Sequence, residues 1–298
     1  LTTQYGFQNY ARDDRPMLTG EQRLELGAET LINSYGWSKA QSTTYALANF
    51  AGAAAWDAGG RVDGNWEELV KVDDAPYQSY DISASGGSAN ENFRLSVGYK
   101  STDGTSIGTD YESVTGTFTY KRKSGRVDIT TSNRVTNAIQ NGIHESSSYF
   151  GAPQMTRLFM SPFQQPKNPD GSWNINLSTS VFNTPYLAEV NIQQNDGTRA
   201  LSNTTVSYRI TDDLKFSTRY AIDFTLGVSH EFRNPHHGDG AGNNGYSYQN
   251  TARNFTWSST NTLDYNKTIN DVHNISALAQ MEFQKNKNTQ NSSSGYNV

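Results

Sequence analysis

Apolar and polar residues alternate with a period of two along most of the chain. In residues 93–100, Phe, Leu, Val and Tyr alternate with Arg, Ser, Gly and Lys. Residues 214–226 repeat the pattern over a greater length, and about 9–11 tilted residues are enough for a strand to cross a bilayer. Because successive side chains of a strand point to opposite faces, this pattern predicts strands with one apolar and one polar face.

The same alternation predicts about nine strands in total. Besides the two segments above, it occurs at residues 77–85, 114–120, 127–135, 204–210, 255–265 and 275–283, and more weakly at residues 2–10. Short and long connections alternate between these strands. Tight polar turns lie at residues 86–90, 123–125, 211–213 and 268–271. Long connections lie at residues 11–76, 136–202 and 228–254, while the connection at residues 101–112 is of modest length.

This sorting of the connections is typical of an outer-membrane barrel, which has short periplasmic turns and long extracellular loops. Aromatic residues beside the short turns predict a girdle at one bilayer interface: Phe93, Tyr120, Tyr208, Phe216 and Tyr265. We therefore predict an all-β fold, in which the chain forms a partial barrel within an antiparallel transmembrane β-barrel. The alternative is a soluble β-sandwich, in which the same aromatic residues pack across neighbouring strands.

The composition is compatible with a barrel and argues against two other classes of protein. Lys and Arg number 24 against 29 Asp and Glu, so the net charge of −5 offers no basic field for nucleic acid. Aromatic residues make up 12% of the chain, whereas disordered chains are poor in them. The hydrophobic share of 34% is low, as expected where lipid-facing apolar residues alternate with lumen-facing polar residues.

The connections carry some predicted structure of their own. Thr19 and Gln22 have the spacing of a capping box, which predicts a helix in the first long connection. Three apolar residues would share one face of this helix: Leu24, Ala28 and Leu31. Residues 286–298 are rich in Asn and Ser and are expected to be a mobile loop. No linker divides the chain, so we expect residues 1–298 to form part of one barrel domain without a second domain.

No residue pattern predicts covalent chemistry, and we expect neither enzymatic activity nor catalytic residues. The chain has no cysteine, which removes thiolate nucleophiles and thiolate metal ligands. Adjacent carboxylates occur at residues 13–14, 67–68, 73–74 and 212–213. Adjacency in the sequence does not show that two carboxylates face one substrate at the distance that acid–base catalysis needs. His236 and His237 lack a second cluster of ligands, so no metal site is expected. Residues 240–245 match G-x-G-x-x-G without the strand–helix context of a dinucleotide site, so no cofactor is expected.

Aromatic residues set among Asn, Gln and Ser in the long connections are the candidate ligand-binding residues. Aromatic faces stack on sugar rings or apolar side chains, while neighbouring amides supply directed hydrogen bonds. The candidates for capturing a glycan or a peptide are Tyr149, Phe150, Phe163, Trp173 and Tyr186. The alternative for each of them is packing of the long loops against one another.

Several short motifs follow one another in an order that resembles a known family. Ser83-Ala84-Ser85-Gly86-Gly87 precedes Asn92-Phe93-Arg94-Leu95-Ser96-Val97-Gly98-Tyr99 and then Asp103-Gly104. Earlier in the chain stand Met17-Leu18-Thr19-Gly20-Glu21 and Gly64-Asn65-Trp66. Two later hairpins are marked by residues 208–216 and by Leu263-Asp264-Tyr265-Asn266-Lys267, which leads to His273-Asn274-Ile275. In this order the motifs resemble the SusC/RagA-like TonB-linked outer-membrane transporters over nearly the whole chain.

The resemblance implies an importer in the outer membrane of a Gram-negative, Bacteroidetes-like cell. Its implied partners are a SusD-like surface lipoprotein, the TonB complex and the outer-membrane lipid, and its implied cargo is a glycan, an oligosaccharide or a peptide. The family places a TonB-contacting segment and a plug domain before the barrel, and neither precedes Leu1. We therefore expect the N-terminal part of the barrel without its plug domain. The alternative function is that of a secreted or surface-attached β-rich glycan-binding module.

Overall fold

The protein is described by a computed structural model that covers residues 1–11, 16–143 and 149–298, with the side chain of residue 149 left out. Nine strands form one open antiparallel sheet, in which each strand pairs with its neighbours in sequence and β1 does not pair with β9. The strands are β1 Thr2–Gln8, β2 Ala75–Ser88, β3 Glu91–Asp103, β4 Asp110–Ser124, β5 Val127–Asn141, β6 Ile192–Arg209, β7 Leu214–Arg233, β8 Tyr246–Ile269 and β9 His273–Tyr296. The predicted all-β fold, its antiparallel pairing and its nine strands are confirmed.

The strands extend further than the alternation predicts. β6 begins at Ile192 rather than at residue 204, and β7 continues to Arg233. The expectation of a mobile loop at residues 286–298 is wrong, because β9 continues to Tyr296 and pairs with β8 up to Tyr246. Backbone hydrogen bonds hold these segments in the sheet, and they form irrespective of whether the side chains alternate.

The connections are sorted onto two ends of the sheet, as the sequence predicts. At one end, which we call the turn end, short turns join β2 to β3, β4 to β5, β6 to β7 and β8 to β9. At the other end, the loop end, lie the connections between β1 and β2, β3 and β4, β5 and β6, and β7 and β8. The two longest of these connections, at residues 9–74 and 142–191, carry all six α-helices found in the described residues.

The first long connection contains four helices rather than the single one predicted. They are α1 Gly20–Tyr35, α2 Lys39–Asn49, α3 Ala53–Ala58 and α4 Trp66–Val70. α1 begins with the predicted capping box of Thr19 and Gln22 and buries Leu24, Ala28 and Leu31. A second capping box, formed by Ser38 and Gln41, begins α2 and has the same sequence signature.

The apolar core of the molecule lies in the connections and not in the sheet. Of the buried apolar side chains in the described ranges, Ala75 at the start of β2 is the one that belongs to a strand. One buried cluster joins α1 and α2 to Trp56 and Phe163. A second contains Trp66, Met160 and Val181. Two short helices of the second long connection, α5 Pro153–Phe159 and α6 Thr184–Val190, complete this assembly.

The two long connections are held together by contacts around Trp66. The Trp66 indole Nε1–H donates a hydrogen bond of 2.9 Å to the Gln164 carbonyl oxygen. The backbone N–H of Gly64 donates to the Pro162 carbonyl oxygen at 2.8 Å. A Cβ atom at position 64 would collide with the Gln164 carbonyl oxygen, so glycine is required for this close approach.

Substitution of Gly64 tests this junction. We expect Gly64→Ala to lower the free energy of local opening of α4 and residues 160–166 by about 1–3 kcal/mol, because the added methyl group overpacks the contact. Hydrogen exchange of these segments in the full-length protein measures the change. Gly116→Ala is the matched control, because no atom lies within 4 Å of a Cβ built at that strand position. Equal hydrogen exchange in the Gly64→Ala and Gly116→Ala variants would contradict the requirement for glycine at position 64.

Candidate functional site

The strand register gives the sheet two chemically different faces. One cross-strand row runs from β2 to β8 and consists of Ile82, Val97, Gly116, Val135, Ala200, Phe224 and Phe255. We call the face that carries this row the apolar face. The adjacent row on the opposite, polar face runs through Asp81, Gly98, Thr115, Thr136, Arg199, Thr225 and Asn254.

The apolar face is exposed across the sheet. Ile82 is 62% exposed, Val97 51% and Val135 52%. Tyr220 and Ile222 on β7 are exposed as well. Soluble monomers rarely expose apolar patches larger than a few hundred Å², and larger ones mark surfaces that contact a membrane or a partner.

Aromatic residues border the apolar face at the turn end of the sheet, and one aromatic pair lies nearer the loop end. The five residues predicted to form a girdle all lie on this face beside the turn end, where Phe93 is opposite Tyr120 and Tyr208 is opposite Phe216. Nearer the loop end, the rings of Tyr80 and Tyr99 stack with their centroids 6.3 Å apart. This aromatic pair on β2 and β3 has no adjacent turn to mark it in the sequence, and it was not predicted.

The polar face is crossed by hydrogen bonds between neighbouring strands. Arg199 on β6 forms an ion pair with Asp223 on β7 at 2.8 Å. Hydroxyl groups pair in the same way, with 3.0 Å between the Oγ1 atoms of Thr115 and Thr136. Charged and hydroxyl groups of this kind are compatible with contact with water.

Two of the predicted ligand-binding residues are packed inside the loops. Phe163 is 2% exposed, and its ring centroid lies 5.0 Å from that of Trp56. Phe150 is partly buried against the cluster that contains Trp66. Tyr149 begins a 3₁₀ turn, Tyr149–Gly151, and its side chain lies outside the described residues.

The other two predicted residues are partly exposed and have different neighbours. The Trp173 indole Nε1–H donates to Glu189 at 2.8 Å, and the Lys167 ammonium lies 4.6 Å from the ring centroid. The Tyr186 ring lies 6.0 Å from that of His237. The described members of the predicted set therefore belong to separate clusters, and a ligand-binding role for them stays a prediction.

Asn183 is a positioning residue that the sequence analysis missed. Its fully buried side chain accepts a hydrogen bond from the Tyr186 N–H at the start of α6 and donates to the carbonyl oxygens of Pro166 and Asn174. Its backbone N–H donates to His237 Nε2 at 2.8 Å. The sequence signal for this position is an Asn directly before Thr-Pro, which is typical of a helix N-cap followed by proline in the first turn.

The His237 ring lies between the loops, where burial favours its neutral form. Burial lowers the pKa of His237, opposed by a hydrogen bond with the backbone of Ile175. The ring also contacts Phe182 edge-on at 5.4 Å. Because Nε2 accepts a hydrogen bond from Asn183, protonation of this nitrogen would break the contact.

The described residues contain neither a metal-binding cluster nor a helix that could cross a bilayer. In residues 1–11, 16–143 and 149–298, the His, Asp and Glu side chains form no group of three or more that could hold a metal ion. The carboxylate pair at residues 13–14 lies outside those ranges. No helix in the described part of the chain has the length and apolar content needed to cross a bilayer.

The fold matches that of solved peptide-transporter chains. A structure of the RagAB peptide transporter superposes with a TM-score of 0.74 and 18% identity, covering 99% of this chain and 36% of that chain. Structures of the RagAB peptide importer in the closed-closed and open-open states give TM-scores of 0.75 and 0.76, each at 18% identity, with 99% of this chain and 35% of that chain covered. The chain therefore spans about a third of the length of these relatives. No family model and no curated protein matches the sequence.

Titration of His237 tests how α6 is held. A histidine whose pKa is lowered by folding stabilises the fold fully above the unfolded pKa of about 6.5, and this stability is lost as the pH falls below it. We expect hydrogen-exchange protection of residues 175–191, corrected for intrinsic rates, to decrease between pH 7.5 and 5.5. His237→Gln should abolish this dependence, whereas His236→Gln, which changes the exposed neighbour, should retain it. If the His237→Gln and His236→Gln variants showed the same pH dependence, His237 would not be the group that holds α6.

Proposed function

We propose that this chain is part of the wall of an outer-membrane importer that takes up glycans, oligosaccharides or peptides. The importer works with a SusD-like surface lipoprotein and is energised by the TonB complex. The likeness to RagAB importer chains supports a role in nutrient uptake and a partnership with a surface lipoprotein. The chain supplies positioning and binding in this proposal, and no covalent chemistry is assigned to it.

The exposed apolar face is the observation that carries the proposal. In water it would leave large apolar side chains solvated on every strand, whereas hydrocarbon is a suitable solvent for them. On β8 this face extends from Tyr265 to Phe255 and is followed by Arg253. On β9 the charged Lys285 and Lys287 follow Phe283 on the same face. This span of about ten residues matches the length that tilted strands need to cross a bilayer.

The proposed function also orients the two ends of the sheet relative to the membrane. The short turns face the periplasm, and the helical connections at the loop end face outward, where the lipoprotein and the cargo arrive. The polar face, with the Arg199–Asp223 pair and the hydroxyl pairs, lines the lumen. The loop aromatics Trp173 and Tyr186 remain proposed contacts for the cargo.

In a membrane, the two edge strands of the sheet, β1 and β9, would need further strands to pair with. β1 and β9 each pair on one side only, and unpaired backbone groups in hydrocarbon cost several kcal/mol each. We propose that strands of a longer polypeptide close the barrel, in line with the greater length of the RagAB chains. A soluble glycan-binding module would instead need a second layer to cover the apolar face. The helices do not provide this layer, because Ile82, Val97 and Val135 are more than half exposed.

Membrane residence and uptake test the proposal directly. The full-length polypeptide should fractionate with the outer membrane, resist extraction by carbonate, and require detergent for solubilisation. Deletion of its gene should abolish growth on its cargo, and the wild-type gene supplied in trans should restore it. Recovery of the protein in a detergent-free soluble fraction would overturn the proposal.

A charge-insertion pair tests which face contacts lipid. We expect Val97→Arg to destabilise the folded protein in bilayers by about 2–4 kcal/mol, because this position is near the middle of the apolar face. Ser132→Arg is the matched control on the polar face of β5, where water solvates the added charge. Denaturant titration in lipid vesicles measures both changes. A larger effect at Ser132 than at Val97 would contradict the assignment.

A further inference from the structure

Three basic side chains gather on the apolar face where β8 and β9 approach the loop end. Arg253 lies on β8, and Lys285 and Lys287 lie on β9. Lys287 stands opposite Phe255, and Lys285 stands opposite Trp257. Arg253 is the diagonal cross-strand neighbour of Lys287, and such neighbours are about 7–8 Å apart. The three exposed basic residues therefore form one cluster, which we call the basic patch.

The basic patch has no acidic neighbour on its own face. In the described strands β7, β8 and β9, the apolar face carries no Asp or Glu at any position. None of the three patch residues forms an ion pair with another residue that the structure describes. By contrast, Lys267 lies on the same face at the turn end and forms an ion pair with Asp213 at 3.1 Å. Because a charge at the border of hydrocarbon is costly without a counter-charge, the patch needs an anion from outside these strands.

Carboxylates on the same face are found on other strands near the loop end. Glu112 on β4 accepts a hydrogen bond of 3.3 Å from the Tyr99 hydroxyl. Asp196 on β6 accepts one of 2.8 Å from Asn137 Nδ2. These acidic groups repel an anion, so the distribution of charge favours an anion at β8 and β9 over one at β4 to β6.

An apolar surface continues from the basic patch towards the turn end. On β9, Phe283 and Met281 precede Lys285 on the same face and are 48% and 59% exposed. A ligand that matches both parts has an anionic group at one end and an apolar chain at the other. This is the chemistry of an anionic lipid, whereas free phosphate and an acidic protein segment would leave the apolar part without a partner.

We propose that the basic patch binds the phosphate headgroup of an anionic lipid in the outer leaflet. The Arg253 guanidinium donates parallel N–H bonds to phosphate oxygens, and the two lysine ammonium groups supply point charges at the ends of flexible stems. The acyl chains of the lipid lie along Phe283 and Met281. This inference rests on the proposed function, which places the apolar face in lipid and the loop end outward, and it names a lipid partner for that face.

Variants that change only charge separate lipid binding from folding. Arg253→Gln, Lys285→Gln and Lys287→Gln each remove one cation and keep a polar side chain. Because the three cations repel one another, the thermal midpoint of the full-length protein in a nonionic detergent should stay equal or rise in each variant. Arg134→Gln is the matched control, since it makes the same change of charge on the polar face of β5. Lys285→Arg keeps the charge and should keep the binding.

Native mass spectrometry of the full-length protein in the same detergent measures lipid binding. The probes are dioleoyl phosphatidic acid and dioleoyl phosphatidylcholine, which share their acyl chains and differ in the net charge of the headgroup. Phosphatidic acid should bind more tightly. Each single Gln variant of the patch should raise its Kd about two- to fivefold and the triple variant about tenfold or more, while Arg134→Gln should change it less than about twofold.

Several results would overturn the inference. These are equal affinity for the two lipids, an equal effect of Arg134→Gln, and loss of binding in Lys285→Arg. Displacement of phosphatidic acid by equimolar inorganic phosphate, or by an acetylated hexaglutamate peptide, would also overturn it, because the patch would then recognise free phosphate or an acidic protein segment. Uptake and membrane residence, measured separately, would still stand in those cases. Recovery of the full-length protein in a detergent-free soluble fraction would instead overturn the proposed function.

Discussion

The unbroken antiparallel hydrogen-bond ladder is the constraint on which the rest of the structure depends. Every strand from β2 to β8 is paired on both sides, so the register assigns each side chain to one face without exception. Shifting one strand by a single residue would move its apolar side chains to the polar face and its charges to the apolar face. The ladder also holds segments that side-chain pattern alone would leave as loops, such as the Asn- and Ser-rich end of β9.

The molecule combines two parts that are stabilised in different ways. The helical connections have a conventional buried core around Trp56, Phe163 and Trp66, and a close contact at Gly64 joins them. The sheet has almost no buried apolar side chain and presents its apolar residues outward. We propose that its stability depends on backbone hydrogen bonds and on an apolar surrounding, which is the physical basis for proposing that the sheet lies in a bilayer. The likeness to RagAB importer chains is in the fold, and the functional assignment is our proposal.

Much of the fold could be predicted because a period of two is a strong local signal. The segment at 214–226 identifies β7, and the capping box at Thr19 identifies α1. The features that could not be predicted from the sequence depend on contacts between residues that are far apart in the chain. The packing of Phe163 on Trp56 and the hydrogen bond from the Asn183 N–H to His237 join residues from different connections, and no local pattern reports them.

The most direct test of the central claim is a spin-label accessibility scan along β7. The chain has no cysteine, so single cysteines can be introduced at residues 217–224 of the full-length protein and labelled after reconstitution into vesicles. We expect accessibility to lipid-dissolved oxygen at Tyr220 and Ile222, and accessibility to a water-soluble nickel complex at Arg219 and Ala221, with a period of two. Equal accessibility on both faces, or an apolar face shielded from both reagents, would contradict a lipid-facing sheet.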